Sequence, residues 1–245
     1  MWMAHVGGAH LDQQQGPRRE FIVLGKALLD SAQALDEAAT GTVVVSRAAW
    51  EHVKDTYEGE RTPLGNYKVG SLLADKQPMT IPRVHMDATP LFHIWPILKM
   101  YCHEGARDLQ DIAPFAADVR KLTVIFIRLD LDLENPTLDT VQLTHKACLV
   151  IQNATYLYRG TLRQFLQDDK GCLAICVMGM PPFSPHDNDP VRAVLAGLDI
   201  ARKLPELGIG VYIGVTSGTA YSGFVGSQTR REMCAMGSIG KLSEN

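Results

Sequence analysis

The 245-residue chain is short of most features that single out a function class. No run approaches the roughly 20 uninterrupted apolar residues of a membrane span. Its start, Met1-Trp-Met-Ala-His-Val-Gly-Gly8, has no basic region followed by an apolar run, so no signal peptide is read and a cytoplasmic location is expected. Charge of one sign is scarce: 24 Lys and Arg against 27 Asp and Glu give a net charge of −3. That removes the bulk-charge case for nucleic acid or a membrane surface as partner. The five cysteines, Cys102, Cys148, Cys172, Cys176 and Cys234, are odd in number and include no CxxC pair. A disulfide framework or structural zinc site is thereby disfavoured, and a reducing compartment fits.

What is present is ordinary globular composition, 46% apolar and 21% charged. Residues 1–19 are small, polar and Gln-rich and are expected to form a disordered tail. Phe21-Ile-Val-Leu24 reads as a buried strand closed by Gly25. Lys26 to Ala39 places Leu28, Leu29, Ala32 and Leu35 on one helical face. Thr42 to Val45 is β-branched and strand-like, and Ser46 caps a short helix that carries Trp50 inward. A closing strand is expected near Asn66 to Val69. Residues 71–120 are broken by Pro78, Pro82, Pro90, Pro96 and Pro114 and read as a connector.

A second block, residues 121–245, opens with the apolar run Leu122 to Ile127. It continues with a helix over Thr137 to Tyr158, strands at Gly160–Leu166 and Cys172–Met178, and a helix opened by Pro190. Gly210–Ser217 and Ala220–Val225 are expected to form a glycine-bracketed hairpin, with a further strand at Arg231 to Met236. This alternation predicts an α/β chain of the α+β plait, ferredoxin-like kind, with helices on a largely antiparallel sheet.

Several residue groups imitate functional sites. Cys102-His103-Glu104 has metal-ligand chemistry but no second ligand pair, and reads as a solvated loop or helix. Asp130, Asp132 and Glu134 alternate like a cation cluster without the glycine and distal glutamate of a calcium loop, which leaves a solvated loop. Asp168 and Asp169 suit a turn as well as an acidic pair. Gly214, Gly218, Gly223 and Gly226 fit no phosphate-binding spacing, so turn and close sheet packing are expected of them. Gly237-Ser-Ile-Gly-Lys-Leu242 lacks the spacing and hydroxyl of a P-loop, and Asn153-Ala-Thr155 reads as a chance sequon. Cys172 and Cys176 share a strand face and read as core.

Longer stretches carry a family likeness. Lys170-Gly-Cys-Leu-Ala-Ile-Cys-Val-Met-Gly179, the helix from Pro190 to Ile200, and Ile213 through Gly226 followed by Arg230 and Glu232 resemble the soluble, bicarbonate-responsive adenylyl cyclases of class III. Phe21 to Ala27 and Val43 to Trp50 are similar to the end of the first cyclase homology domain of the same family. The resemblance implies residues 20–70 as the end of that first domain and 121–245 as a C-terminally truncated second one.

It also implies a reaction, ATP to cyclic AMP and pyrophosphate, at a cleft between two homologous domains. The partners so implied are ATP and a complementary cyclase domain or a second copy of the chain. Mg²⁺ or Mn²⁺ would be held by aspartates of the first domain, ahead of Phe21 and outside the matched residues. The second domain would supply base-reading, ribose-orienting and transition-state groups. Position by position, Lys170 stands at the adenine-reading lysine, and Cys234 stands where a threonine would assist with the base. Lys241 and Asn245 stand in place of the asparagine and arginine, and Arg128 replaces a metal aspartate. Ala32 replaces a bicarbonate-site arginine, and Leu173 lies near the other bicarbonate-lining position. A catalytically inactive module that binds nucleotide or a partner domain is the alternative.

Overall fold

A computed structural model describes residues 2–11, 16–74, 93–107, 118–132, 134–168, 171–227 and 231–237. Its centre is a five-stranded antiparallel sheet in the order β10-β9-β6-β8-β7. The strands are β6 Asp118–Asp130, β7 Gly160–Asp168, β8 Gly171–Met178, β9 Gly210–Gly226 and β10 Arg231–Met236. Helix α4 (Leu138–Leu157) joins β6 to β7, and α5 (Asp189–Glu206) joins β8 to β9. The resulting β-α-β-β-α-β order is the expected plait.

Sequence chemistry accounts for these elements. Thr137 caps α4 in a capping box with Thr140, each side chain serving the other's backbone. Pro190 sits in the first turn of α5, where its missing N–H costs nothing, and Ala193, Ala196, Ile200 and Leu204 are buried at helical spacing. Along β6, Ile125, Ile127 and Leu129 join the core beneath the helices with Cys172, Ala174 and Cys176 of β8. Leu122 and Val124 face the other way, with Val177, Met180, Ala220 and Met233. Period-two alternation thus gives the sheet two apolar faces.

The stretch expected to be a disordered tail is instead half of a hairpin. β1 (Trp2–His10) pairs antiparallel with β2 (Pro17–Leu24). Its residues carry little strand signal, and long-range contacts hold them in place. Val6, Ile22 and Leu24 are buried in the main core, each contributing about 1.5–3 kcal/mol. From α4, the fully buried Gln152 accepts from the Gly8 and Ala9 amides at 3.1 Å each and donates to the Arg18 carbonyl at 3.0 Å. A Cβ on Gly7, at φ +78°, would lie 2.8 Å from the Gln152 amide, so the bulge there requires glycine.

Four further expectations are corrected. Gly210 to Gly226 is one continuous strand rather than a hairpin. Gly214 and Gly218 lie opposite Phe126 and Leu122 in the ladder, where a bulky neighbour tolerates the missing side chain. α1 (Lys26–Asp36) buries only Ala34, and Leu35 is exposed. Cys102-His103-Glu104 is not solvated: His103 and Glu104 are buried. β6 begins inside the expected connector, whose described part is α3 (Trp95–Leu98) followed by two 3₁₀ turns.

The first block is completed by α2 (Arg47–Val53) and a three-stranded sheet of β3 (Val44–Val45), β5 (Tyr67–Leu72) and β4 (Tyr57–Arg61). Ser46 caps α2 as read from sequence, accepting from the Ala49 amide. Trp50 stacks on Tyr67 with centroids 4.8 Å apart. No helix among the described residues is long and apolar enough to cross a membrane.

The two hairpins share a sequence pattern. Arg18-Arg19-Glu20 precedes Gly25 at the spacing by which Arg230-Arg231-Glu232 precedes Gly237. Val6 pairs with Glu20 as Val225 pairs with Glu232, and Ala4 with Ile22 as Gly223 with Cys234. β1–β2 and β9–β10 are therefore two copies of one arm.

Candidate functional site

Lys170 lies outside the described residues, but its neighbours Gln167 and Gly171 line a cavity of about 430 Å³. Leu29 of α1 closes it from the first block, and Arg128, Asp130, Asp132, Glu134 and Tyr212 line the rest. The Arg128 guanidinium sits over the Tyr212 ring at 4.2 Å from its centroid, a cation–π contact across the β6–β9 ladder. The Gly25 amide donates to Gln167 at 3.4 Å, tying the start of α1 to β7.

The carboxylates of this cavity do not suit a divalent ion. Among the described residues no group of three or more His, Cys, Asp or Glu is arranged to hold a metal. Arg128, lining the same cavity, adds a fixed positive charge that opposes a cation. Mg²⁺ or Mn²⁺ is therefore not fitted by the residues described.

Cys234 lies elsewhere. It is half-buried and lines a second cavity of about 340 Å³ with Val225, Gly226, Ser227 and Glu232. Arg163 of β7 donates from Nη2 to its Sγ at 3.2 Å. Arg163 stands at the bulge of β7, where the register shifts between Leu162 and Gln164. The residues flanking Lys170 and the residue Cys234 thus line separate cavities. Lys241 and Asn245 are outside the described residues, and Ala32 is half-buried on α1.

Beside Arg163 runs a buried polar network that sequence reasoning missed. Arg18 pairs with Glu20 at 2.6 Å, both side chains largely buried. Glu104 accepts from the Tyr156 hydroxyl at 2.6 Å. Arg107 donates to the carbonyls of Cys102, Gly16 and Pro17 at 3.1–3.2 Å. Burial pushes the His103 imidazole down to about 4 against the pull of Glu104, so it is neutral. Its Nδ1 accepts from the Gly105 amide, which leaves the proton on Nε2. Burial also raises the Glu20 carboxyl despite Arg18, and burial with Glu104 keeps the Tyr156 phenol protonated. The network joins the connector, the first arm and α4, and the Arg163 charge on β7 acts on Glu20 and His103. The signal in the sequence was slight: charged residues inside otherwise apolar strands and an isolated His-Glu pair.

No protein-family model matches the chain. Adenylate cyclase type 10 of Oryctolagus cuniculus is 23% identical over 249 residues, covering 90% of this chain and 15% of the relative. The Homo sapiens form is 21% identical over 245 residues, covering 89% and 15%. The chain thus spans about 15% of the length of the curated relatives it matches. Among solved structures, a bacterial light-regulated adenylyl cyclase superposes with TM-score 0.50 at 17% identity, over 62% of this chain and 47% of that one. The plait is the fold of class III cyclase catalytic domains.

Proposed function

We propose that the chain is an adenylyl cyclase-like module, acting in intracellular signalling, that serves the conversion of ATP to cyclic AMP and pyrophosphate only when a complementary cyclase domain completes it. One observation carries this reading. The face of the first arm that holds Val6, Ile22 and Leu24 is buried against the α4 side of the second block. The same face of the second arm holds Val225, Cys234 and Met236, and Val225 and Met236 are 38% and 51% exposed. Copies of one arm that differ in this way imply a further surface for the second, supplied by another domain or a second copy of the chain. On this reading Lys170 reads the adenine, because a site with buried base-pairing groups rejects a base that leaves them unpaired. Cys234, which lines a separate cavity, is given a share in that role by the resemblance alone. Any divalent-ion chemistry of the reaction would rest on ligands of the complementary domain, since the described residues do not fit such an ion.

The test is cyclic AMP formation from ATP with Mg²⁺ or Mn²⁺, by the chain alone and after mixing with an intact first cyclase domain. No turnover is expected alone. Turnover is expected on mixing, cut at least about tenfold by Lys170→Ala, the cost of one lost charged contact. Turnover by the chain alone, or mixed turnover indifferent to that substitution, overturns the assignment. A second reading rests on Lys241 and Asn245, which stand where the resemblance has an asparagine and an arginine. A module lacking those groups binds nucleotide or its partner domain without catalysis, and co-elution on mixing with no cyclic AMP is its signature.

A further inference from the structure

α5 carries its large aliphatic residues on the side away from the sheet. Toward the core its first turns present Ala193, Ala196 and Gly197, all buried, with Ile200 and Leu204 following. Toward solvent they present Val191, Val194, Leu195 and Leu198, which are 42–62% exposed. A Cβ added at Gly197 would lie 3.4 Å from the Ile213 side chain of β9, so the helix sits close on the sheet by its small residues. The outer four stand at i, i+3, i+4 and i+7, the spacing of a seam that receives another helix. Single exposed aliphatic residues are ordinary on a protein surface, but a contiguous stripe of them marks an interaction surface.

The ends of the stripe point to its occupant. One turn before Val191 stands the exposed Asp187, and one turn after Leu198 stands Arg202, whose side chain is 68% exposed. Of the five N–H donors of a guanidinium, the 3.0 Å bond from Arg202 to Asp199 uses one. The row therefore runs from an acidic end through an apolar middle to a basic end. Laid antiparallel on its own copy, about a twofold axis between Val194 and Leu195, it sets Val191 against Leu198 and Asp187 against Arg202, each pair formed twice. A parallel arrangement would instead oppose like charges.

We propose that this stripe is an isologous contact surface through which two copies of the chain pair, α5 antiparallel to α5. The surface is separate from the second arm. Val225 lies twelve positions along β9 from Ile213, about 40 Å at the rise of a strand. The pairing does not rest on the cyclase reading and does not use the arm that a complementary domain would meet.

Sedimentation equilibrium of the purified chain over a concentration series tests it. A reversible dimer is expected, with a dissociation constant on the order of micromolar, because four aliphatic side chains from each copy make a small interface. Leu195→Gln combined with Leu198→Gln should weaken it at least about tenfold, with an unchanged circular dichroism spectrum, since neither side chain is part of the core. Arg202→Asp should weaken it about three- to tenfold by turning two attractive pairs into repulsive ones, and Asp187→Arg should do the same. Both exchanges together should restore most of the affinity, because the pairs re-form with their signs reversed. A chain that stays monomeric up to about 100 μM overturns the proposal and leaves the stripe to a partner other than this chain. A dimer indifferent to the two glutamines overturns it as well and assigns association to another face, such as the exposed Val225 and Met236 of the second arm. A doubly exchanged chain weaker than either single variant overturns the antiparallel arrangement.

Discussion

The two arms begin from one pattern, a strand pair with Arg-Arg-Glu before and glycine after, and end in opposite environments. In the first, Phe21 is exposed while Ile22 and Leu24 are buried. In the second, Met233 is buried while Met236 is exposed. Neighbouring strand residues point to opposite faces, so the arms bury opposite sides of the same design. The cause is what each meets. β1–β2 meets α4 and a glutamine that satisfies three of its backbone groups. β9–β10 lies over the sheet face that α4 and α5 do not cover, where Met233 and Phe224 pack on Leu122 and Val124. A shared local pattern therefore does not decide which face is inside. The surface on offer does.

The sharpest way to break the comparison is Gln152→Leu. The Gly8 and Ala9 amides and the Arg18 carbonyl would lose their partner in a buried place, at about 1–3 kcal/mol for each group left unsatisfied. Allowing for relaxation, a loss of about 3–5 kcal/mol is expected in urea unfolding of the whole chain. The second arm does not use Gln152, so alkylation of Cys234 should be unchanged in the folded variant. A loss below about 1 kcal/mol would mean that the first arm is held by its apolar residues alone.

A second contrast lies in pH. His103 stays neutral down to about 4 in the folded chain, whereas the unfolded chain takes up its proton near 6.5. A depressed folded value means that this contribution is complete above pH 6.5 and is lost as pH falls toward 4. At about 1.4 kcal/mol per unit, it amounts to roughly 3 kcal/mol across the window. Glu20, raised by burial, works with the opposite sign nearer its own range and flattens the lower end. His103→Gln keeps a donor without the titration and should remove most of the slope in denaturation curves measured between pH 7 and 4.5. An unchanged slope would place the acid sensitivity in other groups.

These two effects mark the boundary of what the sequence made legible. The main plait was readable because its signals are local: Thr137 and Pro190 at helix starts, Ser46 as a cap, and apolar runs at β6 and β8. β1 was not readable, since Ala4, Gly7 and Gly8 have little strand preference and Gln152, the side chain that holds the Gly8 and Ala9 amides, lies more than 140 positions away. The continuous β9 was obscured for a related reason, its glycines being matched to large residues across the ladder instead of to turns. At the candidate site, resemblance to a family singled out Cys234 but not Arg163, because a lone arginine in a strand announces nothing until its neighbour is known. The burial of His103 and Glu104 likewise depends on Tyr156, from a different element.

The smallest expected effect gives the finest comparison, a matched pair of glycines. Gly7 and Gly226 occupy the same place in the two arms and both hold positive φ, +78° and +140°. Alanine at either position meets the steric cost of that conformation, on the order of 1–2 kcal/mol. At Gly7 the new methyl would also press on the Gln152 amide. That amide is held by three hydrogen bonds and cannot turn aside without releasing them. Gly7→Ala should therefore destabilise the chain by about 1–2 kcal/mol more than Gly226→Ala, the loss of at least one of those bonds. In Gln152→Leu the difference should shrink, because the apolar side chain has no bonds to release and can yield. Equal losses in both variants on the Gln152 background would instead assign the glycine at position 7 to backbone conformation alone.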